Sequence, residues 1–233
     1  MDVNVVEAQD PQPHSICDDT EWDCIPGGAI IRTERDDGTD ITRCSLTCEI
    51  QYQSIDHLMT SAHCFNACDE DPIGYHLKHG GEVIGEVVEY DVNLDFAIIE
   101  PVDGLKMDDS IIDESQSIFG HVTRDGVEDL RDSGETVYHY GSTTCKTSGV
   151  VDGITSNLSG SCDFDIEAPR MTTNADPGDS GGPHYHHEQS LLIDALGIIG
   201  PHWGGDTYEW APPGYTITDQ YDITFGGSTC DGL

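Results

Sequence analysis

The 233-residue chain carries 45 acidic against 9 basic residues, a net charge of −36, and only three lysines, Lys78, Lys106 and Lys146. Such a field repels nucleic acid and anionic membrane surfaces, and no apolar run approaches the roughly 20 residues of a membrane span. The length fits one α/β or all-β unit, or two small barrels sharing a cleft, and no internal repeat is apparent.

The acids are interspersed among apolar strand patterns such as Gly85-Glu86-Val87-Val88-Glu89-Tyr90 and do not form a tail. This reads as a solvated acidic coat on a folded domain, not as disorder. At molar salt the Debye length falls to about 3 Å, which screens the self-repulsion of such a coat. Adaptation to high salt is the expectation.

In chain order, residues 1–26 are polar and irregular, broken by Pro11, Pro13 and Pro26, with Cys17 and Cys24 bracketing an acidic hexapeptide that they could close into a small loop. Gly28-Ala29-Ile30-Ile31-Arg32 is the first expected strand. The following Asp36-Asp37-Gly38-Thr39-Asp40 has a spacing like a calcium loop but lacks the full ligand series and terminal Glu, so a hairpin turn is favoured. Leu58 to Cys64 reads as a buried strand ending in small residues and His63, and Asp95 opens a second apolar strand running to Glu100. Further strands are expected over His76 to Tyr90, Thr136 to Tyr140 and Gly149 to Ile154, with a linker around Asp103 to Glu128 and helix only around Thr216 to Tyr221. Many short strands at roughly 8 to 12 residue spacing imply an all-β sandwich or barrel. Asn157-Leu158-Ser159 is a glycosylation sequon if the chain is exported.

The densest chemistry lies in Pro177-Gly178-Asp179-Ser180-Gly181-Gly182-Pro183. The glycines free the backbone to take positive φ and let a substrate carbonyl approach closely. That geometry aims the Gly178 and Ser180 N–H groups at one point, where a tetrahedral acyl-transfer intermediate puts its negative oxygen. A serine nucleophile needs a base and an orienting carboxylate; His63 and Asp95 supply them. The order His63, Asp95, Ser180 is that of the chymotrypsin class.

Several motifs narrow the comparison. Arg43-Cys44-Ser45-Leu46 with twenty positions from Cys44 to Cys64, Gly141-Ser142-Thr143-Thr144 followed by Ser148-Gly149-Val150-Val151, and the acidic Asp176 before the serine motif resemble streptogrisin-type, secreted bacterial trypsin-like proteases. The resemblance runs from about Gly27 to the C-terminus. It implies two antiparallel six-stranded β-barrels with the active site in the cleft between them, the first over 27–115 and the second over 116–233, after an N-terminal extension over 1–26. It also implies a monomer acting on polypeptides without a cofactor or metal. Cys44 and Cys64 correspond to the family's disulfide. Cys48 and Cys68 repeat the same separation and suggest a second bridge; a zinc site from the two C-x-x-x-C pairs is the lesser alternative. Cys145 and Cys162 would pair in the second barrel, leaving Cys230 odd.

Nine cysteines argue for an oxidising compartment, whereas Met1-Asp2-Val3-Asn4 does not open a signal peptide. A secreted chain whose export signal was removed reconciles the two; a cytoplasmic chain is the alternative. No Ile-Val-Gly-Gly start follows a cleavable Arg, so activation by a new N-terminal ammonium is not expected. Where streptogrisins pair the acid before the nucleophile with an arginine, this chain has His139, which suggests a His139 to Asp179 pair. Strand alternation would set His184 and His186 on one face beside His187, a polar face before it is a metal site.

The resemblance places the specificity pocket between Asn174 and the strand Leu196 to Gly205. One alignment lays Gly200-Pro201-His202 along the substrate backbone. The other sets His202-Trp203-Gly204-Gly205 on the His-Ser-Gly-Gly of glutamate-specific relatives, where the imidazole meets the substrate carboxylate. Neutral Asn174 at the pocket base disfavours Lys or Arg at P1, and Glu or Asp, or else a medium apolar residue, is expected there. A non-catalytic binding module and an esterase on the same fold are the competing functions.

Overall fold

The computed structural model describes residues 20–155, 166–189, 194–204 and 209–227, together with the backbone of 158–159 and 163–164. The chain is mostly β, in two eight-stranded sheets where barrels of six strands were expected. In spatial order the first sheet contains Ile223–Phe225, Cys48–Tyr52, Ile55–Thr60, Phe96–Pro101, Glu82–Asp91, His76–His79, Ile30–Glu34 and Asp40–Ser45. All its pairings are antiparallel. The two-residue period is plain in Ile30–Glu34, where Ile31 and Thr33 turn inward. Phe96 to Ile99 are buried without a break, as expected of a strand covered on both faces.

The second sheet runs Ile118–His121, Asp194–Pro201, Pro183–Gln189, Thr136–Gly141, Cys145–Thr155, Ala168–Met171, Glu209–Trp210 and Trp203–Gly204. Its first pair is parallel, as is a small separate pair of Ile25–Gly27 with Met107–Ile111. The C-terminal strand Ile223–Phe225 returns to the first sheet, pairing with Cys48–Tyr52. The principal core, built on residues such as Leu58, Phe96, Ile98 and Phe225, takes in Tyr140, Tyr185 and Ile198 from the second sheet, so the two sheets share apolar packing.

The expected hairpin at 35–39 is present, closed by Arg35 N–H to the Thr39 carbonyl (2.9 Å) and by Thr39 N–H to Asp37 Oδ1 (2.9 Å). Helix is more extensive than expected. Besides α2 (Gly214–Gln220), an α-helix α1 (Arg124–Ser133) begins at the end of the stretch read as linker and runs beyond it. Thr123 caps it by accepting from Gly126 N–H, Gly134 ends it at φ 69°, and Val127 and Leu130 form its buried stripe.

The cysteine pairing needs correction. Cys44 and Cys64 are bridged, with Cα atoms 6.2 Å apart, and Cys24, Cys68 and Cys145 are also disulfide-bonded. Cys48 is a free thiol, fully buried, so a Cys48–Cys68 bridge does not form. The cause is packing: Cys48 belongs to the principal core, opposite Met59 in the strand register. Burial pushes its thiol pKa up. Cys17, Cys162, Cys230 and the Asn157 sequon lie outside the described residues.

Candidate active site

Strand register brings the first two groups together. Ile55–Thr60 and Phe96–Pro101 are antiparallel neighbours with Thr60 opposite Ala97, so the residues just beyond each strand end meet. His63 lies on the short 3-10 turn Ala62–Phe65 after the first strand. Asp95 precedes the second in the left-handed region at φ 44°, not within the strand as expected. Asp95 is fully buried. Its Oδ1 accepts the His63 backbone N–H at 2.9 Å and its Oδ2 faces His63 Nδ1 at 2.7 Å. A carboxylate at Nδ1 fixes the proton there and leaves Nε2 free to accept one. The His63 side chain is 20% exposed. Burial pulls its pKa down, but the charge of Asp95 and its hydrogen bond outweigh that and leave it raised.

The loop carrying Ser180 comes from the second sheet and is tied to the first. Ser45 N–H donates to the Ser180 carbonyl (2.8 Å), Thr47 Oγ1 to the Gly181 carbonyl (2.6 Å) and Ser45 Oγ to the Gly178 carbonyl (2.9 Å). Glycine is required at two points. At Gly181 (φ 82°) a Cβ would lie 2.2 Å from Thr60 Oγ1, and at Gly178 (φ 108°) 2.7 Å from an Arg43 guanidinium nitrogen. Arg43 also donates to Thr143 Oγ1 (3.0 Å) and the Pro177 carbonyl (3.4 Å), bracing the loop from the first sheet. Ser180 is half-buried. Among the described residues its hydroxyl has no hydrogen-bond partner, and the N–H groups of Gly178 and Ser180 donate to none.

Asp179 is fully buried beneath this loop. It accepts from Thr143 N–H (2.7 Å), Thr144 N–H (3.2 Å), Thr144 Oγ1 (2.7 Å) and Asp176 N–H (2.9 Å). The expected ion pair with His139 is therefore replaced by backbone and hydroxyl donors. The His139 ring nitrogens make no hydrogen bond, and burial drives its pKa down to about 4 despite the charge of Asp179. Asp179→Ala leaves buried donors unpaired and is expected to lower kcat about 100-fold, the size of losing one oxyanion donor. Steady-state turnover of the variant measures this, and unchanged kcat would remove Asp179 from the loop's support.

His139, His184 and His202 form a buried group that sequence alternation did not anticipate. His184 Nε2 and His202 Nδ1 are 3.0 Å apart, and the His139 ring lies 4.6 Å from each of the other two. His184 lies opposite His139 in the strand register, and its ring meets His202 and not His186. His186 and His187 instead meet the Thr136 carbonyl (3.0 Å) and Glu114 (3.2 Å). One nitrogen from each of His139, His184 and His202 lies within 4.8 Å of the others, close enough to share a metal ion, but His184 and His202 already use their facing nitrogens on each other. Burial holds the pKa of His184 and of His202 well below the usual imidazole value.

Of the expected pocket residues, Asn174 is exposed and its carbonyl accepts from Thr147 Oγ1 (2.9 Å). Gly200 and Pro201 are buried opposite His184 and Pro183, and a Cβ on Gly200 would lie 1.9 Å from the Pro212 carbonyl. His202 is 2% exposed, and its carbonyl accepts from Gly181 N–H (3.0 Å) and Ser61 Oγ (3.2 Å). Gly204 is exposed, and Gly205 lies outside the described residues. One group was missed entirely: Glu209, opposite Gly204, is buried against His202. A carboxylate between Tyr208 and Trp210 was the available signal.

The protease of Nocardiopsis shares 17% identity at a TM-score of 0.64, covering 87% of this chain and 99% of its own. Protease A of Thermobifida fusca gives 17% and 0.64, covering 88% and 100%. A glutamic acid-specific serine protease, described as using a histidine triad in substrate binding, gives 21% and 0.64, covering 86% and 100%. At such identities these likenesses establish the fold. Comparison with curated proteins finds no match. The model of the trypsin-like peptidase domain matches residues 48–193, well over half of the 233 residues, and the chain belongs to that family.

Proposed function

We propose that the chain is a secreted serine endopeptidase of streptogrisin type, adapted to high salt. His63 takes the proton from Ser180 as the hydroxyl attacks the scissile carbonyl, Asp95 holds the imidazole and stabilises its cation, and Gly178 and Ser180 N–H groups receive the oxyanion. The observation that carries the reading is the doubly hydrogen-bonded pair of His63 with buried Asp95, together with a loop whose Ser180 hydroxyl and two N–H groups have no partner among the described residues. Export is supported by the Cys44–Cys64 bridge and the further bonded cysteines.

An internally quenched peptide tests this in molar salt. Internal peptide-bond cleavage is expected. Hydrolysis of simple esters alone would favour the esterase, and binding without turnover would favour the binding module. The histidine grouping invites comparison with the protease described as glutamic acid-specific. In this chain burial keeps the three imidazoles uncharged near neutral pH, and His202 Nε2 already faces Glu209. A preference for acidic P1 residues is accordingly not part of the proposal.

Salt dependence follows from the charge. Nine basic residues against 45 acidic ones leave most carboxylates without a cationic partner, and pairs such as Arg35–Glu70 and Lys78–Glu34 neutralise only a few. Circular dichroism and turnover are expected to decline together as salt is lowered from molar to dilute, because the Debye length grows about tenfold between 1 M and 0.01 M. Equal stability across that range would exclude the adaptation.

A further inference from the structure

Glu209 is an acid in an unusual place. Its strand pairs with Trp203–Gly204, setting Glu209 opposite Gly204 and Trp210 opposite Trp203. The side chain is 8% exposed, and Oε2 lies 3.2 Å from His202 Nε2 yet makes no hydrogen bond of good geometry. The Ala175 backbone, five positions before Ser180, lies beside the carboxyl and favours its ionised form. A Cβ on Gly204 would lie 3.1 Å from Oε2. The carboxyl therefore stands between the segment that leads into the nucleophile loop and the strand whose His202 carbonyl holds Gly181.

Among the described residues no lysine or arginine pairs with it. Burial pushes Glu209 up to about 8, and Asp179 and Asp176 add to the shift. The imidazoles packed against it and against each other are kept neutral by the same burial. A buried carboxyl with an unused oxygen and neutral or acidic neighbours carries a standing cost. A cation entering from the Gly204 side removes that cost.

We propose that Glu209 is a specificity-determining residue that selects Lys or Arg at P1, with Oε2 accepting from the substrate's ammonium or guanidinium group. The inference rests on the serine-peptidase reading of Ser180, His63 and Asp95. The cation takes the place of the carboxyl proton, which leaves to solvent, and the pair forms where water is largely excluded. A P1 Glu brings a second carboxylate against Oε2, and like charges in one site oppose ionisation. A P1 Leu or Phe covers Oε2 while leaving it unpaired. His202 then orients Glu209 instead of meeting the substrate. The carboxylate absent at Asn174 is thus supplied from a different strand.

A P1-varied peptide library in molar salt tests the assignment, with the stoichiometry of a fluorophosphonate label as a separate count of working nucleophile. Wild-type kcat/KM is expected to be about 100-fold higher after Lys or Arg than after Glu or Leu. Glu209→Gln, compared per labelled nucleophile, should lose about 100-fold in the ratio of Lys and Arg to neutral peptides. Glu209→Asp should retain part of the preference. A fully labelled wild-type enzyme that prefers Glu or Leu overturns the assignment whether or not the variants fold, as does a labelled Glu209→Gln that keeps its preference for Lys. A chain that takes up no label instead overturns the peptidase reading beneath it.

Discussion

Replacing Ser180 with alanine is expected to lower kcat about 10⁶-fold, because without the nucleophile neither His63 nor Asp95 has a proton to manage. Structure should survive the change. The Ser180 hydroxyl bonds to nothing among the described residues, while the loop is held through the Ser180, Gly181 and Gly178 carbonyls, which the variant keeps. An unchanged circular dichroism spectrum with residual turnover about 10³- to 10⁴-fold above the uncatalysed rate is the expected pair of results. Ser180→Ala with more than a few per cent of wild-type activity would place the nucleophile elsewhere.

Asp95→Asn is expected to cost about 10⁴-fold in kcat. The amide oxygen can still accept from the His63 N–H, so the turn stays in place. The amide nitrogen, however, can donate to Nδ1, which moves the imidazole proton to Nε2 and removes the base. The pH profile carries a second signature. His63 must be neutral to act, so in the wild type kcat/KM climbs as pH rises through a His63 pKa lifted above 6.5 by Asp95. In the variant the attraction is gone and burial alone remains, which lowers that pKa. The acid limb should therefore move to lower pH as the plateau falls. A plateau lowered with the limb unmoved would mean that Asp95 does not set the charge state of His63.

The sequence exposed those features whose physics is local. The Gly-rich loop around Ser180 and the apolar runs before His63 and after Asp95 are short-range patterns, and the register of Thr60 with Ala97 joins the last two. The 35–39 hairpin was legible for the same reason. Helix α1 was also local and was missed, although Thr123, Gly134 and the Val127/Leu130 stripe spell its caps and its buried face. The surrounding acidic residues look like linker, and the helix offers few apolar positions to outweigh them.

What could not be read depends on long-range placement. Cys48 and Cys68 share the spacing of Cys44 and Cys64, but spacing does not say that Cys48 turns into the core. The histidine group depends on the pairing of His184 with His139 across two strands and on the contact of His202 with His184, which alternation along one strand does not report. Asp179 has its charge met by Thr143, Thr144 and Asp176, three neighbours with no formal positive charge among their donors, so a search for a cationic partner pointed to the wrong residue. Glu209 escapes for the plainest reason: its position opposite Gly204 is fixed by a pairing of two-residue strands too short to carry a periodic signal.

The catalytic assignment is tested most directly by the site and rate of fluorophosphonate labelling in molar salt, read by peptide mapping of the wild type and of His63→Ala. One label per chain on Ser180, forming faster as pH rises through the His63 pKa and lost or slowed at least about 10³-fold without the imidazole, is the predicted result. Labelling at any other serine, or labelling of Ser180 at the same rate without His63, would contradict it.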